Sequence, residues 1–360
     1  MGIKYNPKVS VILDNYNYAR FLRQSIDSVL QQDYENYELI IVDDGSSDDS
    51  RLIIEEYADH DKRIIPVFKS NGGQMSAFNA AWSHVSGDVV AFLDSDDYWY
   101  SEKLSKIVEK HKEYHLVQHY LSNNGNGTYR KVNTAINWHN VLMSYGYLYN
   151  HSVCSSLSFD KKLLEPFFPF FEEEQMIYCA DGILLMAALS LTEVGFIEEE
   201  LGFYRVHGNN GFVGKDDYGE NARLILKRQH EYVNKQLQKR GYKEIPFSFT
   251  DYFNHIIQDM LKNEKISSCS RILLYGTESS GLYMHEVLES AGIRVVGFID
   301  SDERKQGKRV LNKPTYSPDN ISQLNDWDCI LIASSAQDAI SKTLDRCGLK
   351  AEKNYYRLPI

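Results

Sequence analysis

The sequence has few cysteines, and they are too scattered for a disulfide framework or a zinc site. None of the five stands in a Cys-x-x-Cys arrangement, and their number is odd, whereas both kinds of site need closely patterned thiols. They are Cys154, Cys179, Cys269, Cys329 and Cys347. No apolar run of 18 residues occurs, and an apolar stretch of signal-peptide length is lacking near the start. We therefore expect no hydrophobic transmembrane helix and a cytoplasmic location.

A surplus of basic residues is also lacking. The 39 Lys and Arg residues face 50 Asp and Glu residues, which gives a formal net charge of −11. A protein that binds nucleic acid non-specifically needs a basic surface to displace counterions from phosphates, so this class is disfavoured. The composition is otherwise that of a folded globular protein, with 43% hydrophobic and 25% charged residues. A length of 360 residues predicts two or three domains.

The first hundred residues alternate short apolar runs with amphipathic stretches. The apolar runs predict strands at 9–13, 38–42, 64–68 and 88–93, and the amphipathic spacing predicts helices at 21–30, 48–57, 75–85 and 103–111. Nearly continuous apolar strands that alternate with helices indicate an α/β fold with a buried parallel sheet covered on both faces. Ligands of such sheets bind at the carboxyl ends of the strands.

Acidic residues follow three of these predicted strands. Asp14 follows the first, Asp43 and Asp44 the second, and a run of Asp94-Ser95-Asp96-Asp97 the fourth. Because the strands are parallel, the three clusters should share one edge of the sheet. A divalent cation that bridges two phosphates needs hard oxygen ligands, which an Asp-x-Asp sequence at a strand end supplies. Taken alone, such a run is more often a solvated loop or a helix cap.

The second cluster continues into Gly45-Ser46-Ser47-Asp48, which is typical of a turn followed by a helix start. Ser47 or Asp48 is expected to accept hydrogen bonds from the first amides of that helix. This role does not account for Asp43 and Asp44. Their carboxylates could accept hydrogen bonds from a base or a ribose.

The motifs resemble those of the inverting family 2 glycosyltransferases over residues 7–210, and they occur in the family's order. They are Val9-Ser10-Val11-Ile12 with Tyr16-Asn17, Val42-Asp43-Asp44-Gly45-Ser46, Asn71-Gly72-Gly73-Gln74 with Asn79-Ala80, Phe92-Leu93-Asp94-Ser95-Asp96-Asp97, Asp181 before a helix, and a segment at 201–210 that contains His207. The resemblance implies a GT-A fold, which is a nucleotide-diphosphosugar-binding α/β sandwich. It also implies an enzyme that inverts the anomeric centre.

The resemblance implies roles for individual residues. Tyr16 would stack on the base and Asp44 would hydrogen-bond it, Asp94 would approach the ribose, and Asp96 would ligate Mn²⁺ or Mg²⁺. His207 would close over the diphosphate or the metal, although a histidine that caps a turn fits the same position. The nucleotide-binding residues implied are Asp14, Tyr16, Asp43, Asp44, Asn71, Gly73 and Asp94, and the metal-binding residues are Asp96 and His207.

Asp181 occupies the family's position for the catalytic base. An acceptor hydroxyl must lose a proton as it attacks the anomeric carbon, and a carboxylate can accept that proton. Without the resemblance, Asp181 would be a helix cap.

Two positions depart from the family pattern: Asp14-Asn15 replaces the common Pro-Thr or Pro-Ala, and Phe78 replaces a common Arg. The second departure removes a cation from the donor site.

The remainder of the chain divides into three parts. Residues 123–214 are irregular and aromatic, and we expect them to face the acceptor. Residues 222–240 form a predicted helix with an apolar stripe and a basic face. That face is either solvated, or in contact with anionic headgroups at the inner face of the cell membrane or with the pyrophosphate of a lipid-linked acceptor. From residue 268 a strand-helix-strand pattern begins again, with Gly276 and Gly281 in the first turn and Asp300 after the second strand.

The C-terminal pattern resembles a small Rossmann-like domain, but it has only two glycines of a Gly-x-Gly-x-x-Gly fingerprint. A ligand site and a structural or docking role both stay open for it. The predicted organisation is a transferase domain at 1–215, a helical linker at 216–267 and a Rossmann-like α/β domain at 268–360. The oligomeric state is not determined by the sequence, and a homo-oligomer is compatible with it.

The function predicted from these features is transfer of a hexosyl or N-acetylhexosaminyl group from a UDP-, GDP- or dTDP-linked donor. The acceptor would be a saccharide or a lipid-linked saccharide, Mn²⁺ or Mg²⁺ would be required, and the family implies bacterial surface polysaccharide synthesis. Two alternatives remain open. One is an NAD(P)-dependent nucleotide-sugar oxidoreductase that uses the C-terminal domain, and the other is a non-catalytic sugar-nucleotide sensor or scaffold.

Overall fold

The computed structural model describes residues 5–124, 128–129, 131–148, 153–170, 180–207, 210, 218–277, 279–334 and 336–359. These residues fall into two compact units. The first lies within Met1–Leu142, His151–Lys215 and Arg228–Glu244, and the second within Met143–Asn150, Asp216–Lys227 and Ile245–Ile360. Among the helices of the described ranges, none combines the length and the apolar character needed to cross a membrane. The predicted domain boundaries at 215 and 267 stay a prediction.

Nine strands of the described chain form the first sheet. They are β1 Val9–Asn15, β2 Tyr37–Asp43, β3 Ile64–Phe68, β4 Val89–Asp94, β5 Tyr98–Trp99, β6 Leu116–Asn123, β7 Thr128–Tyr129, β8 Leu157–Asp160 and β9 Val194–Tyr204. Their order is β3-β2-β1-β4-β8-β6-β9-β5, with β7 paired to β6. The first four strands are parallel, as predicted. Beyond them the sheet is mixed, because β8 runs antiparallel to both of its neighbours and β5 antiparallel to β9.

The described helices lie between and after these strands. They are α1 Ala19–Leu30, α2 Ser50–His60, α3 Gln74–Trp82, α4 Lys103–Lys110, α5 Trp138–Tyr145, α6 Lys161–Leu164, α7 Ala180–Leu189, α8 Tyr218–Lys239, α9 Phe249–Lys262, α10 Ser279–Ser290 and α11 Gln337–Arg346. Short 3₁₀ turns occur at Cys154–Ser156, Glu165–Phe167 and Pro318–Gln323. The predicted helix at 222–240 therefore begins earlier, and its stripe residues Val233 and Leu237 are fully buried.

Alternate residues of β1, β2 and β4 face opposite sides of the sheet. Apolar residues on one face, such as Val11 and Leu13, form a core with α1, α2 and α4. On the other face Phe92 of β4 contacts Phe78 of α3, with ring centroids 4.8 Å apart. Successive side chains of a strand alternate between faces, so Asp14 and Asp94 lie on the side of α3. The predicted coverage of both faces is confirmed.

The second sheet has six strands in the described chain. They are β10 Arg271–Tyr275, β11 Arg294–Ile299, β12 Arg309–Val310, β13 Lys313–Tyr316, β14 Cys329–Ile332 and β15 Tyr355–Arg357. The order is β12-β13-β11-β10-β14-β15, and every pairing except β12 with β13 is parallel. Residues of β10, β11, β14 and α11 form its core. The predicted class, an α/β fold with a second and smaller C-terminal sheet, is confirmed.

Candidate active site

The carboxyl ends of β1, β2 and β4 bring the acidic clusters together. In the parallel registers, Asp14 pairs with Asp94 of β4, and Asn15 pairs with Asp43 of β2. Each strand's apolar run ends at these polar residues, and the parallel register then places the ends of all three strands on one edge. The prediction that these clusters share an edge is confirmed.

Asp43 stabilises the turn that follows β2. Its Oδ1 accepts hydrogen bonds from Nδ2 of Asn15 at 2.8 Å and from the Ser46 hydroxyl at 2.5 Å, and its Oδ2 accepts one from the Ser46 amide at 3.1 Å. Asp48 accepts a hydrogen bond from the Ser50 amide at the start of α2, as the turn pattern predicted. The Asp43 carboxylate thus has three donors within the protein. Its predicted contact with a nucleotide stays a prediction.

Asp44 holds the loop that leads into α3. Its carboxylate accepts hydrogen bonds from the amides of Gly72 and Gly73 and from Nζ of Lys69, the shortest at 2.6 Å. Asn71 donates its side-chain amide to the Asp44 carbonyl at 3.1 Å. Gly73 has φ +85°, a conformation that favours glycine. The predicted residues Asp44, Asn71 and Gly73 therefore lie together beside the acidic edge.

Gln74, the first residue of α3, connects two carboxylates on the α3 face of the sheet. Its Nε2 donates to Oδ2 of Asp14 at 3.2 Å and to Oδ1 of Asp94 at 2.9 Å. Oδ1 of Asp14 is buried and has no hydrogen-bond partner. Burial raises the pKa of Asp14 to about 7, against the opposing effect of the Gln74 hydrogen bond. Burial and the neighbouring Asp14 charge also raise the pKa of Asp94 well above its ordinary value.

The loop after β4 carries a compact carboxylate cluster. Oxygens of Asp94, Asp96 and Asp97 lie within 4.8 Å of one another. Nε2 of His207 lies 2.9 Å from Oδ2 of Asp96, and both side chains are largely buried. Burial raises the pKa of Asp96, and the contact with His207 opposes this rise. The two predicted metal-binding residues are therefore adjacent.

Asp97 is fully buried and points into the protein. Its Oδ2 accepts a hydrogen bond from the Ser155 hydroxyl at 2.6 Å, and its Oδ1 accepts one from the Arg205 amide at 2.9 Å. Nε of Arg205 in turn donates to the Asp96 carbonyl at 2.7 Å. Burial raises the pKa of Asp97 well above its ordinary value, and the charge of Asp96 adds to this rise. Asp97 thus joins the acidic loop to the chain that leads to His207.

Tyr16 and His207 are positioned by the turn after β1 and by α1. The Tyr16 ring is 48% exposed beside the acidic edge, which suits the predicted stacking on a base. His207 contacts the rings of Tyr18 and Phe21, with centroids 5.4 and 5.1 Å away. Asn17 has φ +58° and its side chain accepts a hydrogen bond from the Ser47 amide, which joins the β1 and β2 turns.

Asp181 is the second residue of α7, and every other residue of that helix is buried. Its Oδ1 accepts a hydrogen bond from the Gly182 amide at 2.9 Å. The Asp181 charge contributes to the raised pKa of Asp94. The hydrogen bond from the Gly182 amide gives Asp181 a role at the start of the helix. The role of catalytic base stays a prediction.

Sequence reasoning did not assign roles to Gln74, Asp97, Ser155 or Arg205. Gln74, Asp97 and Arg205 stand inside the quoted motifs, so their neighbours were a signal for them. Ser155 lies in the irregular middle region, where no pattern marked it.

Phe78, at the position where relatives have a cation, is fully buried in the core. It therefore supplies neither charge nor a hydrogen bond to the site.

The turn after β10 holds Asp300 within the second unit. Oδ2 of Asp300 accepts hydrogen bonds from the amide and hydroxyl of Thr277, and Oδ1 accepts one from the Asp302 amide. Gly276 has φ +114°, and a Cβ there would lie 2.6 Å from the Ala333 carbonyl oxygen. Both features stabilise a tight turn.

Among the cysteines that the structure describes, all four are free thiols, and Cys179 lies outside the described residues.

Two family models match parts of this chain. Residues 10–173 match the family model described as Glycosyl transferase family 2, and residues 268–354 match one described as C2185-like, N-terminal. An uncharacterized glycosyltransferase of Nostoc sp., alr2836, is 30% identical over 310 residues, which are 79% of this chain and 95% of that protein. The chain spans at most 45% of the length of several other bacterial glycosyltransferases that it matches.

Two further similar proteins are described with a substrate or a bound nucleotide sugar. WfgD of Escherichia coli, a UDP-Glc:α-D-GlcNAc-diphosphoundecaprenol β-1,3-glucosyltransferase, is 33% identical over 195 residues, which are 52% of this chain and 74% of WfgD. The structure of S. aureus TarS residues 1–349 with UDP-GlcNAc is 20% identical with a TM-score of 0.48, covering 79% of this chain and 84% of that one. Because the family model matches the residues of the acidic edge and a relative at 30% identity extends over most of the chain, the chain belongs to glycosyltransferase family 2.

Proposed function

We propose that this glycosyltransferase is a metal-dependent, inverting enzyme that transfers a sugar from a nucleotide diphosphate to a saccharide or lipid-linked saccharide hydroxyl. The observation that carries the proposal is the cluster of Asp94, Asp96 and Asp97 with His207 at the sheet edge. The charge of Asp181 contributes to the raised pKa of Asp94 in this cluster. Tyr16 and Asp44 stand on the same edge, where the base of the donor would bind.

The donor set fits Mn²⁺ or Mg²⁺. Carboxylate oxygens are the ligands that both cations prefer. Burial raises the pKa of Asp94 and Asp96, and a bound cation would stabilise their ionised forms. Asp96 and His207 are the residues proposed to hold it. When bound, the cation would act as a Lewis acid and stabilise the charge that develops on the leaving diphosphate.

Asp181 is proposed to accept the proton of the acceptor hydroxyl. As that proton leaves, the oxygen attacks the anomeric carbon from the side opposite the diphosphate. The new bond from carbon to oxygen forms while the bond to the diphosphate oxygen breaks, which inverts the centre. Asp181 suits this role because it is half-buried at the start of α7, where the other residues of the helix are apolar or glycine. Removal of a general base typically lowers the rate by about 10²–10⁴-fold.

The acceptor and the cellular setting are inferred from relatives. WfgD is named for a lipid-linked acceptor, and TuaG of Bacillus subtilis is named for teichuronic acid biosynthesis. We propose an equivalent place in bacterial surface polysaccharide synthesis, in the cytoplasm. The exposed basic residues Lys227, Lys235 and Lys239 of α8, with Arg240 directly after the helix, would then contact anionic headgroups. Flotation with vesicles of anionic phospholipid, but not with neutral ones, tests this contact.

The second unit is proposed to be a Rossmann-like α/β module with a structural role. Parallel strands on both sides of β10 support the fold assignment. Asp300 already accepts hydrogen bonds from Thr277 and Asp302, so its carboxylate stabilises the turn. The melting temperature of the full chain is expected to stay unchanged in millimolar NAD⁺ or NADP⁺. A clear rise would favour the oxidoreductase alternative.

A thermal-shift screen tests the function first. UDP-, GDP- and dTDP-sugars are added to the full chain with and without Mn²⁺, and the donor found is then tested for nucleotide release with candidate acceptors. We expect one nucleotide class to raise the melting temperature only when Mn²⁺ is present. Stabilisation that persists in excess chelator would contradict metal-dependent donor binding. Stabilisation without release, across all acceptors, would favour the sensor alternative.

The catalytic base is tested with Asp181→Asn. This variant should bind the donor as wild type does and lose at least 100-fold in transfer rate. The matched control is Asp251→Asn, because Asp251 is also an acid in the first turn of a helix, α9. If Asp181 only stabilised its helix, both variants would retain activity and show the same small loss of stability.

A further inference from the structure

A buried hydrogen-bond network adjoins the carboxylate cluster, and its central residue is Ser155. Ser155 belongs to the 3₁₀ turn Cys154–Ser156 and is fully buried. Its hydroxyl donates to Oδ2 of Asp97 at 2.6 Å and accepts from the Asp94 amide at 3.1 Å. One hydroxyl therefore connects the first and last residues of the acidic loop, in which like charges repel each other.

Two side chains donate hydrogen bonds to the backbone of Ser155. Its carbonyl accepts hydrogen bonds from Nε1 of Trp99 at 2.9 Å and from Nζ of Lys103 at 3.0 Å. Nζ of Lys103 also lies 3.2 Å from the centroid of the Trp99 ring. Lys103 is fully buried and Trp99 is 3% exposed. Burial lowers the pKa of Lys103 well below its ordinary value, because a buried charge is costly. The Lys103 amine can donate the hydrogen bond to the Ser155 carbonyl with or without the extra proton.

We propose that Ser155, held by Lys103 and Trp99, is a positioning residue that fixes the acidic loop in the conformation that binds the divalent cation. In this arrangement Asp97 anchors the loop to Ser155 and to the Arg205 amide, and Asp96 is left to face the cation beside His207. The inference rests on the proposed metal dependence. Residues that orient metal ligands typically change metal affinity by 10–100-fold when they are removed.

The test measures binding of Mn²⁺ alone to the full chain, by electron paramagnetic resonance of the free ion, and needs no donor or acceptor. Ser155→Ala removes one donor to Asp97 and the acceptor of the Asp94 amide. We expect its dissociation constant for Mn²⁺ to rise about 10–100-fold. Ser155→Thr keeps the hydroxyl and should restore most of the affinity.

The matched control is Ser156→Ala. Ser156 lies in the same turn and is 1% exposed, but its hydroxyl donates to the Val153 carbonyl at 2.9 Å. We expect its Mn²⁺ affinity to stay within twofold of wild type. An equal loss in both alanine variants would mean that the turn as a whole had loosened, and it would overturn the role of the Ser155 hydroxyl.

Lys103→Met provides a second route should Ser155→Ala fail to fold. It removes the donor to the Ser155 carbonyl and leaves the acidic loop unaltered in sequence. Because a buried amine is replaced by an apolar side chain, the melting temperature should be equal or higher, while the Mn²⁺ affinity falls. Loss of affinity without loss of stability supports positioning, and unchanged affinity overturns it. If the wild-type protein itself binds no Mn²⁺, the proposed metal dependence fails as well. If the wild-type protein binds Mn²⁺ and the variants bind it equally well, only the positioning role of Ser155 fails.

Discussion

Glu38 and Asp14 are acidic residues at opposite ends of neighbouring strands in the first sheet. Glu38, near the start of β2, is 5% exposed and accepts hydrogen bonds from Lys8, Ser10 and both the amide and hydroxyl of Ser86. Asp14, near the end of β1, accepts from Gln74, which it shares with Asp94, and its second oxygen has no partner. Among the described residues, the carboxylate of Glu38 therefore has hydrogen-bond donors for both oxygens, whereas the carboxylate of Asp14 has a donor for only one.

The pKa values express this difference. Burial would raise the pKa of Glu38, but the hydrogen bonds from Lys8, Ser10 and Ser86 outweigh it and lower the pKa to about 2. For Asp14 burial dominates, and the pKa rises to about 7. A carboxylate with a full set of hydrogen-bond donors stabilises the fold. A buried carboxylate with an unsatisfied oxygen can accept a further hydrogen bond or a cation from a ligand. Glu38 therefore stabilises the fold at the amino end of β2, whereas Asp14 keeps an unsatisfied oxygen at the carboxyl end of β1.

The largest effect expected from this contrast is on catalysis. Asp96→Asn should lower transfer at least 100-fold, because it removes the carboxylate proposed to hold the cation that stabilises the leaving diphosphate. Glu38→Gln serves as the comparison at the opposite end and should retain transfer per folded molecule. Both are measured by nucleotide release at a temperature where each variant is folded. Equal activities in the two variants would contradict the division of roles between the two ends.

The second effect is on stability. Glu38→Gln should lower the free energy of unfolding at pH 7 by about 1–3 kcal/mol, because buried donors then lose a charged acceptor. The pKa of Glu38 is lowered from 4.5 to about 2, so its contribution is present above about pH 4.5 and is lost as the pH falls toward 2. Urea unfolding of both proteins at pH 7 and pH 3 measures this. A wild-type advantage that stays constant with pH would count against the role of the carboxylate.

The smallest effect is expected from Asp14→Asn. An amide of nearly the same shape removes a buried carboxylate that, within the described chain, accepts a hydrogen bond only from Gln74. The protein without a bound nucleotide sugar should therefore become more stable by up to about 1 kcal/mol. Thermal unfolding without added metal measures the change. Glu102→Gln is the control, because its side chain is 65% exposed and its contact with Lys106 lies at the surface. A lower melting temperature for Asp14→Asn would show that Asp14 stabilises the fold, as Glu38 does.

Sequence patterns gave good bounds for elements whose apolar period is local. The strand at 64–68 has the predicted bounds, and the first helix begins at Ala19, two residues before its predicted start. The later part of the first sheet was not predicted, because β8 pairs with β4 and β6 across long sequence separations. Lys103 is another example. It opens an amphipathic helix, where a lysine is usually solvated, yet it is fully buried against Trp99.

The sequence by itself determined where the first four strands lie along the chain, the acidic residues at three strand ends and the family to which these motifs belong. Apolar runs end where the first polar residues stand, so the strand ends and their carboxylates can be read from local composition. Only the tertiary structure decided which carboxylates have donors. Asp43, Asp44 and Asp97 receive hydrogen bonds from the protein, and one oxygen of Asp14 receives none. That distribution depends on residues such as Ser155, which folding brings to the acidic loop from a distant part of the chain.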